Sequence, residues 1–148
     1  MGNQSLHDQD FYGWANEQAG LLRAGRLSEA DIEHIADEIE SMGKSEKREL
    51  VSRLTVLLTH MLKWQHQSAL RGTSWRLTLE EQRKRLERHL DDNPSLKATL
   101  ADTIGEAYYY ATLDVVRETG VERSVYPAAC PWSFERIMDP NFYPEVAN

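Results

Sequence analysis

Three sets of residues in this sequence are of types that do chemistry. Asp31, His34 and Glu38 stand at i, i+3 and i+7 of a segment with helical periodicity, so they share one flank of a helix. One imidazole and two carboxylates in that relation are ligands for iron, manganese or zinc, with a bound water as the reactive group. His60 sits at the edge of the most apolar segment and supplies a further nitrogen if its helix packs edge to edge with the helix of Glu38. The two-metal signature of helical proteins, a Glu-x-x-His on each of two helices, does not occur. The same residues also read as a salt-bridging carboxylate and a half-buried, hydrogen-bonded histidine.

The second set is basic. Arg71, Arg76, Arg83, Lys84, Arg85 and Arg88 fall close together, and helical spacing offers Arg76, Arg83, Lys84 and Arg88 mostly to solvent, where they could meet phosphate. Glu80, Glu81 and Glu87 are threaded through the same segment, and the whole chain has a pI near 5.2, which weakens the case for nucleic acid. The third candidate is the lone cysteine, Cys130. No basic residue lies within five positions of it, whereas a reactive thiolate wants a nearby positive charge, so it reads as a small apolar contact. A phosphate loop, a dinucleotide fingerprint, a zinc-protease helix, a nucleophile elbow and a cysteine zinc cluster are all missing, and no cofactor is expected.

The elements that must position these residues are helices. The organising stretch is Ser52 to Gln67, where Leu54, Leu57, Leu58, Met61, Leu62 and Trp64, with Leu50 and Val51 just before it, fill an arc of roughly 160°, wide enough for other helices to pack around it. Before it, Asp8 reads as the N-cap of a first helix ending at Gly25. Ser28 reads as the cap of a second helix that buries Ile32, Ile35, Ala36, Ile39 and Met42 and stops at Gly43. Ser45 then opens the organising helix, and the stretch around Gly72 breaks it from a fourth helix capped by Ser74. Asn93 and Pro94 begin a fifth helix that Gly120 closes. Gly105 inside it weakens the helix, and close approach of a neighbouring helix is the expected compensation, with room for a ligand as the alternative. Beyond it, Tyr126, Trp132, Phe134, Phe142 and Tyr143 mark residues 121–148 as a tail wrapped on the helices, with one short helix behind Ser133.

The fold class is therefore all-α, a helical bundle of about five main helices with a capping tail, in one domain over residues 1–148. No apolar run is long enough for a membrane span, and the N-terminal stretch has neither the basic flank nor the apolar core of an export signal, so a cytoplasmic protein is expected. Charge is unevenly spread. Residues 1–43 carry two basic and nine acidic side chains, residues 44–90 eleven and five, and residues 91–148 four and ten. Either these charges pair within the fold, or the basic middle is a face for an anionic partner.

The run DFYGWANEQAGLLRAGRLSEADIEHIADEIESMGKSEKREL, followed by LLTHMLKWQ, SWRLTLEEQRKRL and CPWSFERIMD, resembles the bacterial family catalogued as domain of unknown function 29. The resemblance covers about Asp8 to Pro144 and implies a compact, mainly helical bacterial protein of one domain. It implies no catalytic residue. The leading functional expectation is a non-catalytic module that binds another protein or a second copy of itself. A metal-dependent hydrolase or oxidoreductase using Glu38 and His60 is the alternative, and nucleic-acid binding through Arg76, Arg83, Lys84 and Arg88 is the second.

Overall fold

Helical periodicity dominates the chain, and in the computed structural model residues 5–147 are described, with no strand among them. Met1 to Gln4, part of the stretch read above for an export signal, and Asn148 at the end of the tail lie outside the described residues. The elements are α1 (Leu6–Gln9), α2 (Phe11–Arg23), α3 (Ile32–His66), α4 (Thr73–Asp92), α5 (Leu100–Thr119) and α6 (Phe134–Met138), joined by short 3-10 turns. No helix among the described residues is long and apolar enough to cross a membrane. The chain divides into two compact units, Met1–Ser45 and Glu46–Asn148.

In the first unit Asp10, rather than Asp8, caps α2, its side chain accepting from the Gly13 N–H at 3.0 Å. A Cβ on Gly13 would stand 2.5 Å from that carboxylate, so the cap and the glycine require each other. Asp8 belongs instead to α1. At the other end Gly25 has φ 72°, with Arg26 N–H donating to Leu21 O and Gly25 N–H to Leu22 O, the paired bonds that close a helix on a left-handed residue.

Two expectations fail in the next segment. Ser28 lies in the single 3-10 turn Leu27–Glu29, and Gly43 does not end a helix, because α3 is continuous from Ile32 to His66. A lone glycine costs a helix about 1 kcal/mol, which the helix formers Glu40, Met42, Lys44, Glu46 and Lys47 around it offset. Of the expected buried stripe only Ile35 is partly covered. Asp31, His34, Ile35 and Glu38 are the partly covered face, while Ile32, Ile39 and Met42 are 51, 63 and 67% exposed and Ala36 is exposed.

The second unit holds the main core. Leu50, Leu54, Leu57, Leu58, Met61 and Leu62 of α3 are fully buried with Leu79 and Leu86 of α4 and Ala107, Ala111 and Val115 of α5. Trp64 closes this face, with Tyr143 against its ring and the Arg71 guanidinium over it. Gly72, rather than Ser74, occupies the N-cap position of α4, without a side-chain cap. Asn93–Pro94 start a 3-10 turn that leads into α5, and Gly120 closes α5 at φ 73°. The tail packs as its aromatics require. Tyr126, Trp132 and Ile137 are buried in the core, Phe134, Phe142 and Tyr143 pack on it, and Ser133 caps α6 by accepting from the Arg136 N–H.

Candidate functional site

The side chains of the first unit with chemical potential converge on Trp14, which is buried in the first turn of α2. Its indole N–H donates to Asp31 Oδ2 at 3.0 Å, and Asp31 Oδ2 also meets His34 Nδ1 at 2.7 Å. The backbone N–H of Asp31 donates to the buried Gln18 side chain at 2.7 Å. Asp31, the residue just before α3, is therefore the hub that ties α2 to the start of α3. The hydrogen bond from His34, then that from Trp14, hold its carboxyl below the usual carboxylate range.

A residue that sequence reasoning passed over completes this cluster. His7 of α1 stacks on His34, ring centroids 4.4 Å apart and planes 9° from parallel, and meets the Trp14 ring edge-on at 4.6 Å. Its Nε2 lies 2.6 Å from Glu38 Oε1 and its Nδ1 lies 3.2 Å from Asp8 Oδ1. The hydrogen bond to Glu38 is the main cause that raises its pKa above the ordinary histidine value, and burial opposes it. Four of the five groups here, His7, Asp31, His34 and Glu38, are partly covered, and Asp8 is more open. The one signal in the sequence that could have found His7 was its type, since it sits outside the stretch recognisable as a long helix.

Of the sequence-derived set, then, Asp31, His34 and Glu38 are gathered around one imidazole pair, and His60 is not with them. The premise that two helices bring Glu38 and His60 together is gone, since both belong to α3 and are too far apart along it to share a face contact. His60 places its Nδ1 on the Val56 carbonyl at 2.8 Å and is half-buried, which lowers its pKa. That is the satisfied histidine of the plainer reading.

In the second unit the basic face is smaller than expected. Arg76, Lys84 and Arg88 are exposed, but Arg83 is 4% exposed and turned inward. Its Nε donates to Ile137 O and its Nη2 to Phe142 O, each at 2.8 Å, and its guanidinium lies over the Tyr143 ring. Arg83 is thus a pin for the tail and no phosphate ligand. Lys84 and Arg85 lie against Glu87 and Glu81 of their own helix, which further reduces the local positive field. A second imidazole and carboxylate group, Glu46, Glu49 and His89, gathers between α3 and α4, where His89 Nε2 donates to the Glu46 carbonyl at 2.8 Å.

Residues 6–143 match the family model described as domain of unknown function DUF29. The chain belongs to that family. No curated protein and no solved structure matches it.

Two features of this DUF29 chain remain around α5. Nothing lies within 4 Å of where a Gly105 Cβ would stand, so close helix packing is not its explanation. Gly105 instead lines a cavity of about 750 Å³ with Tyr108, Tyr109, Arg123, Tyr126 and Cys130. Tyr108 donates to Pro127 O at 2.7 Å, and burial pushes its phenol up to about 12. Burial also raises the Cys130 thiol, which donates to the Trp132 carbonyl, so this thiol is held in its unreactive neutral form.

Proposed function

We propose that this DUF29 protein works without catalysis, by associating with protein through the apolar face that its first unit leaves uncovered, and that its partner is a second copy of the chain. The observation that carries this reading is the exposed apolar stripe of α3. Ile32, Ile39 and Met42 are more than half exposed, while the flank of the same helix that carries Asp31, His34, Ile35 and Glu38 is the partly covered one. Phe11, Leu22 and Leu27 of the same unit are exposed as well. Single exposed apolar residues are ordinary, but a stripe of them is the mark of an interaction surface.

Charge selects the occupant. Glu33, Asp37 and Glu40 border the stripe, and residues 1–43 carry a net charge of −7, so two such faces repel each other and a same-face pairing is disfavoured. The fitting partner surface is apolar and basic. The chain owns one on α4, where Leu77 is 56% exposed beside the open side chains of Arg76, Lys84 and Arg88. Contact of the first unit of one copy with α4 of the next is heterologous, which closes into rings or swapped pairs or runs on as open chains.

Light scattering and sedimentation over a concentration series test this. Association that strengthens at low salt, and that is lost in Ile39→Glu with Met42→Glu at unchanged helical content, is the expected result. A monomer at every concentration and salt overturns it. So does association that survives Arg76→Glu with Arg88→Glu.

A further inference from the structure

The cavity beside α5 lies wholly in the second unit and belongs to neither the apolar stripe nor the imidazole cluster. We propose that it binds a small aromatic molecule carrying a single carboxylate, with the rings against tyrosine and the carboxylate on Arg123 and Ser124.

Gly105 makes the room. Glycine is unfavourable in a helix interior, and no neighbour requires it here, since nothing lies within 4 Å of where its Cβ would stand. Its missing side chain leaves space in a cavity of about 750 Å³, inside the range of roughly 300 to 1,000 Å³ usual for small-molecule sites. Another part of the lining is the chain from Tyr126 to Cys130, and a buried side chain fixes it. Tyr108 of α5 is 3% exposed and donates its phenol O–H to Pro127 O at 2.7 Å, so the cavity is formed before any ligand arrives.

The polar atoms of the lining divide into those already bonded and those left over. The Tyr108 phenol is used on Pro127, and the Thr112 hydroxyl donates to Tyr109 O at 2.7 Å. The Tyr126 hydroxyl lies 3.3 Å from Thr119 Oγ1, and the Cys130 thiol donates to Trp132 O at 3.5 Å. The Arg123 guanidinium and the Ser124 hydroxyl, adjacent in the 3-10 turn Arg123–Val125, have no hydrogen bond or ion pair with any described residue. Arg123 is nevertheless placed, because its guanidinium lies over the Tyr109 ring, 4.8 Å from the centroid. A planar guanidinium held over a ring keeps its in-plane N–H donors for another partner.

The chemical class follows from these leftovers. The chain carries 24 acidic against 17 basic side chains, yet Arg123 is the one charged side chain lining this cavity among the described residues. The ligand end that meets it is therefore an anion. One guanidinium pairs one carboxylate through two parallel hydrogen bonds, whereas a di- or triphosphate would keep most of its charge unpaired here. The rest of the ligand meets Tyr109 and Tyr126 and the small side chains of Ala128 and Ala129, with no free side-chain donor among them, which suits an aromatic body. Tyr109 is 51% exposed, so a ring laid in the cavity covers apolar surface that water now covers.

The test titrates naphthalene-2-carboxylate into nitrogen-15-labelled full-length protein, with 2-naphthylmethanol as the uncharged counterpart and inorganic phosphate as the anion without a ring. Saturable amide shifts at Gly105, Tyr109, Arg123 and Ser124 are expected in the unsubstituted protein, a reading that needs no variant to fold. The alcohol should bind the same residues about 10- to 100-fold more weakly, as loss of a charge-assisted hydrogen bond does, and phosphate should move none of them. Arg123→Gln, at an exposed position, should bring the acid down to the affinity of the alcohol and leave the alcohol unchanged. Gly105→Leu fills the cavity and should lose both aromatic probes at a thermal midpoint no lower than that of the parent. An acid no tighter than the alcohol, shifts confined to another surface, phosphate that binds as the acid does, or full binding in folded Gly105→Leu overturns the assignment.

Discussion

Replacing Arg83 by Met keeps the apolar stem and removes the two hydrogen bonds by which α4 holds the tail. In the folded protein the guanidinium donates to Ile137 O and to Phe142 O at 2.8 Å each. Leaving a buried carbonyl without its donor costs about 1 to 3 kcal/mol, so two of them bring the loss to roughly 2 to 6 kcal/mol. An opposing effect acts on the same side chain. Burial disfavours the charged form and lowers the Arg83 pKa, and no carboxylate lies within ion-pair distance of it among the described ion pairs, so the substitution also removes a desolvation cost. The net expectation is about 2 to 3 kcal/mol. Urea unfolding followed by tryptophan fluorescence measures it, because Trp64 and Trp132 both lie in the core that the tail covers. Removing residues 140–148 should by itself destabilise this unit, and in that background the effect of Arg83→Met should shrink, since one of its two acceptors is gone. Arg83→Lys should fall near Met, because a single ammonium cannot span two carbonyls that a planar fork reaches. An unchanged urea midpoint in Arg83→Met, or a full-sized effect after the tail is removed, would refute the reasoning and return Arg83 to the solvent-facing basic set.

Leu57→Ala and Trp64→Ala should each lower stability by about 2 to 5 kcal/mol in the same assay, the first from a fully buried position and the second with loss of the Tyr143 and Arg71 contacts. Gly105→Ala should stabilise by about 0.5 to 1 kcal/mol, because nothing stands where the new methyl group goes and the helix interior favours alanine, and a lowered thermal midpoint would show that the cavity wall needs glycine. The docking of α1 should depend on pH. His7, raised by Glu38, contributes fully below its ordinary value of 6.5 and loses that contribution as pH rises through its higher folded value. Asp31, lowered by His34 and Trp14, contributes fully above its ordinary value of 3.8 and loses it as pH falls through its lower folded value. The protection factors of the residue 6–9 amides, which remove the intrinsic pH dependence of exchange, should therefore be highest between those two values, and protection that does not fall as pH rises above 6.5 would disprove the coupling.

The two units differ in how much of each was legible in the chain. The core of the second unit was readable because hydrophobic periodicity is a local signal. Leu54, Leu57, Leu58, Met61 and Leu62 recur on one side of a helix, and no other solution buries them. The αL glycines Gly25 and Gly120 were readable for a similar reason, since a helix that must end prefers the residue with no Cβ at positive φ. Pattern misled at Gly43, where the cost of one glycine is smaller than what the surrounding helix formers supply.

The orientation of side chains was a different matter. Arg83 lies on a helix whose neighbouring positions are charged and exposed, and only the return of the tail over α4 provides the carbonyls that draw it inward. Ile32, Ile39 and Met42 have the spacing of a buried stripe, but Trp14 and Gln18 bind Asp31 and so turn the polar flank of α3 toward α2. The candidate site shows the division most clearly. Asp31, His34 and Glu38 were visible together because one helix carries them at i, i+3 and i+7. His7 joins them from another element, and sequence separation holds no record of which imidazole will stack on which. Residue spacing therefore determined the helices and their apolar and ligand-bearing faces. Which face turns inward, and which distant ring completes a site, was decided by tertiary hydrogen bonds and ring packing, because those energies depend on contacts between elements that periodicity within one element cannot encode.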